Sequence, residues 1–105
     1  MMRVLMKVSL PVESANAFAR KGTLGQTIAS ILQEIKPECA YFGDADGKRT
    51  GFIVVNIEGM HKIPAIAEPW FLAFNASVQL TPVMTAEDLQ KAAPDIKRVA
   101  KKYGA

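Results

Sequence analysis

The 105 residues predict an α+β domain with a single antiparallel sheet, strands and helices following the order βαββαβ, and one more helix at the end. Three observations carry this. Arg3–Leu10 and Ser77–Val83 alternate with the period of two that marks a strand. Two β-rich runs flank Asp46-Gly47, the dipeptide favoured in a type I′ hairpin turn. Between these strands, apolar residues recur at helical spacing, as Ile28, Ile31, Leu32 and Ile35 and again as Ile63, Ile66, Trp70 and Phe74.

The first strand places Val4, Met6, Val8 and Leu10 on one side and Arg3, Leu5, Lys7 and Ser9 on the other, and Pro11 ends it by withholding a ladder donor. Ser14 is the expected cap of a helix reaching Ile35. Thr23 and Gln26 stand in capping-box relation, which allows a break at Gly22 and a restart. A helix start beside two glycines suits an anion, but the Gly-Lys-Ser/Thr of a phosphate loop is missing. Pro37 closes the helix, because the residue before Pro avoids the α region.

A two-residue loop at Asp46-Gly47 pairs Tyr41 with Phe52, Phe42 with Gly51 and Ala40 with Ile53. Ala40, Phe42, Ile53, Val55 and Ile57 then share one side, and Cys39, Tyr41, Phe52, Val54 and Asn56 the other. In the next helix, Pro64 suits the first turn, and Pro69 a kink or the start of a new turn after Glu68. From Ser77 the period returns to two, and Pro82 marks an edge strand or ends it. Thr85, with Asp88 as its capping acid, opens a last helix striped by Leu89, Ala92, Ile96, Val99 and Tyr103 and kinked at Pro94.

This order is the split βαβ, or ferredoxin-like, arrangement, with first and third strands central, second and fourth at the edges, and helices on one face. Residues 1–84 are expected to form the domain, and residues 85–105 an amphipathic helix packed on it or on a partner subunit. The helix-facing side is uniformly apolar. The other side sets Leu5, Tyr41, Phe52, Val54 and Val83 among Arg3, Lys7, Asn56, Gln79 and Thr81, which is more apolar than an open sheet face. Covering four such side chains contributes on the order of 6–10 kcal/mol before association costs. The same face of a second copy is the simplest cover, so a homodimer is expected.

The element order, the small size and the passage "EPWFLAFNASVQLTPV", Glu68 to Val83, resemble the dimeric α+β-barrel superfamily, and within it the muconolactone-isomerase-like and other small members, over about residues 2–84. The resemblance implies two sheets packed face to face, with a cavity between sheet and helices that takes small aromatic or lactone ligands. Haem-degrading relatives use an Asn, Trp and His set; those residue types occur here without matching placement, so that activity is not carried over.

Several side chains fit such chemistry. His61 has the pKa range of a general base and a nitrogen suited to ligation, against the plainer reading of a polar helix start. Glu68, beside the Trp70 stripe, is a candidate proton shuttle for an isomerisation, against a solvent-facing carboxylate at a kink. Arg3 and Lys7 are candidate holders of a ligand carboxylate or partners of an acid across the dimer. Tyr41 and Asn56 are candidate hydrogen-bonding groups, and Trp70 a candidate ligand wall or a core residue. The expected function is binding of a small anionic or aromatic organic molecule, with cofactor-free isomerisation or monooxygenation as reaction types. The alternative is a non-catalytic homodimeric binding or assembly module.

Other classes fit poorly. One His and one Cys offer no metal-ligand spacing, no cofactor motif appears, and the sole His has no nucleophile elbow to serve. The +3 charge gathers at Lys97, Arg98, Lys101 and Lys102, without the aromatic interleaving of a nucleic-acid surface. Apolar runs fall far below the ~18 residues of a membrane span, and no signal peptide is read at the start. The single Cys39 suits a reducing compartment, and a cytoplasmic location is expected.

Overall fold

The computed structural model describes residues 1–105. Strand β1 (Met2–Ser9) leads into helices α1 (Val12–Lys21) and α2 (Leu24–Ile35), then the hairpin β2 (Cys39–Ala45) and β3 (Lys48–Ile57). A 3₁₀ turn (Met60–Lys62) enters helix α3 (Ile63–Phe74), and edge strand β4 (Ser77–Pro82) follows. Helices α4 (Ala86–Lys91) and α5 (Ala93–Tyr103) close the chain. The sheet order is β2-β3-β1-β4, antiparallel throughout, which is the ferredoxin-like arrangement.

The hairpin turn fixes the register. Asp46 and Gly47 take φ of 55° and 75°, the two positive values of a type I′ turn. Counting outward, Tyr41 faces Phe52, Phe42 faces Gly51 and Ala40 faces Ile53, as the sequence predicts. Phe42 lies so close over Gly51 that a Cβ there would sit 2.9 Å from its ring. Leu5 faces Val54, and Lys7 faces Phe52, so each side of the sheet is set by one alternation.

Val4, Met6, Val8, Ile53, Val55 and Ile57 form the buried layer on the helix side. Trp70 and Phe74 from α3 press onto it, stacked with their centroids 6.3 Å apart, and Phe18 of α1 tilts against Phe74 at 4.7 Å. The helices are unequally anchored. Helix α3 buries Ile66, Ala67, Trp70 and Phe74, whereas α1 buries only Ala15 and α2 only Ile31.

Three local details differ from the sequence reading. Helix α1 starts at Val12, directly after Pro11, because Pro11 already holds the extended φ and ψ of an N-cap; Ser14 therefore lies inside the first turn. The break at Gly22 is real, with φ 76°, but the Thr23–Gln26 box does not form. Thr23 Oγ1 instead donates to the Phe18 carbonyl, tying α2 back to α1. The terminal helix is two helices, with Thr85 and Asp88 forming the expected capping box at the first.

From Met84 onward every residue except Ala92 is exposed. The arm α4–α5 has no substantial packing against the sheet or the other helices, and it stretches the molecule to 59 × 28 × 20 Å. The radius of gyration is 17.5 Å, against about 13 Å for a compact domain of this size. No helix is long and apolar enough to cross a membrane.

Candidate functional site

Two regions gather polar side chains, one on each side of the sheet. On the side without helices, Arg3 of β1 and Asn56 of β3 are cross-strand neighbours, and both turn to Glu38, which immediately precedes β2. Arg3 Nη2 donates to Glu38 Oε1 at 2.7 Å, and Nε donates to the same carboxylate at 3.0 and 3.1 Å. Asn56 Nδ2 donates to Glu38 as well. These donors hold the Glu38 carboxyl below its ordinary pKa, Arg3 contributing most and Asn56 next, and the carboxylate in turn raises that of Arg3. Arg3 and Asn56 are thereby both engaged within the chain.

The same face carries an apolar row next to this knot. Cys39, Val54 and Leu5 run across three strands, followed by Tyr41, Phe52 and Lys7 one step along. Leu5, Phe52 and Val54 are half-buried by their neighbours, while Tyr41 is 70% exposed. Lys7 then borders a recess of about 170 Å³, with Ser9, Gln79 and the turn residue Asp46 on its other sides.

On the helix side, the hairpin projects beyond the cover of α1 and α2. The resulting cleft measures about 580 Å³. Its apolar lining is Leu10, Val12, Ile28 and Phe42, and its rim carries Lys48, Arg49, Asp44 and Asn16. Phe42 is 49% exposed, so its ring is a wall of the cleft and not part of the sealed core. Arg49 Nη1 donates to Asn16 Oδ1 at 2.9 Å, which bridges the hairpin to α1 beside the cleft. A guanidinium carries five N–H donors, and this contact is the one side-chain hydrogen bond Arg49 makes. An apolar slot with a tethered guanidinium at its lip suits a carboxylate borne on an aromatic or aliphatic body.

The sequence-predicted residues do not converge. Trp70 is fully buried, 0% exposed, and its indole N–H has no hydrogen-bond partner. It stands on the helix side of the sheet, whereas Arg3, Lys7, Tyr41 and Asn56 stand on the other. Glu68 is exposed on α3, between the buried Ala67 and the half-buried Pro69. His61 is exposed in the 3₁₀ turn, its ring lying over Gly59. Neither lines the cleft or the recess. No group of three or more His, Cys, Asp or Glu side chains is placed to hold a metal ion.

Phe42, Arg49 and Asn16 line the cleft without being singled out in the sequence, yet two of them are within its reach. The register that puts Phe42, Gly51 and Ile53 on the helix side puts Arg49 there too, one step past the last apolar residue. Asn16 and Glu38 carry no such signal: the one needs the tilt of α1, and the other sits beside Pro37, outside the alternation. No family model, curated protein or solved structure matches this chain.

Proposed function

We propose that the protein is a homodimeric α+β module that binds a small organic anion in the cleft between the β2–β3 hairpin and helices α1 and α2. The observation that carries this reading is the pairing of an apolar slot with Arg49, a cation held at the lip by Asn16. The carboxylate would meet Arg49 and Lys48, and the apolar body would lie against Phe42 and Ile28. The sheet side without helices, with its row of Leu5, Val54, Phe52 and Tyr41, would meet the same surface of a second copy, in the manner of the dimeric α+β-barrel proteins that the chain resembles.

The separation of Glu68 and His61 from the cleft favours binding over turnover. An isomerisation needs a proton carrier within hydrogen-bond reach of the substrate, and neither of the two candidate carriers lines the cleft. Calorimetry with a panel of aromatic and short aliphatic acids tests the reading. Hydrogen bonds to a charged group contribute about 1.5–3 kcal/mol, so Arg49→Ala should weaken the best binder by roughly 10–100-fold. Phe42→Ala should weaken aromatic acids more than aliphatic ones, and Glu68→Gln should leave both unchanged. Failure of every acid to bind, or equal affinity for the parent and Arg49→Ala, would refute the cleft assignment.

A further inference from the structure

The arm α4–α5 is an amphipathic element without a surface to lie on. Leu89, Ala92, Ile96, Val99 and Tyr103 follow one another at steps of three, four, three and four residues, the narrow stripe of a two-helix seam. The break between the helices does not interrupt it. Ala92 keeps near-helical φ and ψ of −83° and −9°, and the ladder crosses it through Ala92 N–H to Asp88 O at 3.2 Å and Ile96 N–H to Ala92 O at 3.1 Å. Leu89, Ile96, Val99 and Tyr103 are all exposed. A row of this length in open solvent calls for a covering surface.

The charges say what covers it. Beside the stripe stand Asp88, Asp95 and Lys102, while Glu87, Lys91, Lys97, Arg98 and Lys101 fall on the far side of the helix. A second arm laid parallel would set these charges beside Ala93 and Ala100; laid antiparallel, it brings Asp88 of each copy beside Lys102 of the other. In the antiparallel register, Leu89 meets Val99 of the second copy at both ends, and Ile96 meets the small Ala92 in the middle. Large against large at the ends and large against small at the centre fills the layers without overlap.

We infer that α4–α5 pairs with the same arm of a second copy as an antiparallel two-helix seam, an interface separate from the open sheet face and independent of the cleft. The test uses full-length chains carrying Cys39→Ser and a single new cysteine, at Leu89→Cys in one and Val99→Cys in the other. Mixed under mild oxidation, the two should give a disulfide-linked dimer containing one of each, and neither should cross-link alone. Adding Ile96→Asp should reduce the mixed product at least tenfold while the circular dichroism melt of the domain stays in place, since Ile96 is not among the residues packed on the core. Cross-links of either variant with itself, or a mixed yield unmoved by Ile96→Asp, would overturn the pairing. Because acid binding is read at Arg49, these outcomes leave the cleft assignment to its own test.

Discussion

Glu38 shows how one side chain can decide what a surface is free to do. It accepts from Arg3 and Asn56 together, so two groups placed to grip a ligand grip the chain instead. Its carboxyl is depressed, chiefly by the Arg3 hydrogen bonds, below the ordinary 4.5. The unfolded chain therefore takes up the proton first as pH falls. The stabilisation is complete above the ordinary value and is lost as pH drops through the lower folded value. Glu38→Gln should accordingly flatten the acid side of a melting-temperature curve recorded from about pH 5 to about pH 2.5, with little change in its slope near neutrality. A variant curve parallel to the parent's down the whole acid limb would show that the knot is not coupled to folding. Asp88 adds its own acid dependence through its hydrogen bonds to Thr85, so the comparison of variant with parent is the informative quantity.

Among the elements, the ends of helices separate what local chemistry specifies from what it merely tolerates. Helix α1 ends at Gly22 in the left-handed region, as such ends commonly do, with open space where a Cβ would stand. Helix α2 ends the same way at Lys36, φ 47°, where a side chain bears the strain that glycine avoids. Gly22→Ala should destabilise by about 1 kcal/mol and Lys36→Gly should stabilise by about 0.5–1 kcal/mol, both read from urea unfolding midpoints. Reversal of both signs would mean that tertiary contacts, not the backbone, set those ends. The same contrast explains what can be read in advance. The Asp46-Gly47 turn has one favoured geometry, and it delivers the hairpin register and both sheet faces. The start of α1 is harder, because Pro11 and Ser14 are both good helix openers, and the helix begins after the first of them. The residues around Gly22 allow both a continuous helix and a broken one, and the left-handed turn there selects the break.

At the scale of the molecule, the alternation of apolar residues names the core side of the sheet correctly but cannot say how far the helices extend over it. That extent decides everything about the cleft: had α1 and α2 covered the hairpin, Phe42 would be core and Arg49 a surface cation. The arm is legible in the same partial way, its stripe as amphipathic but not its detachment from the domain. Residues far apart in sequence and joined only by the tilt of a helix, such as Asn16 and Arg49, leave no periodic trace. The unequal anchoring of the helices carries one more consequence. The two walls of the cleft are a hairpin bonded into the sheet and a helix whose one fully buried residue is an alanine, so they should not fluctuate alike. Deuterium should replace the amide protons of α1 well before those of β1 and α3, and an acid bound across Arg49 and Asn16 should slow that exchange by bracing the softer wall.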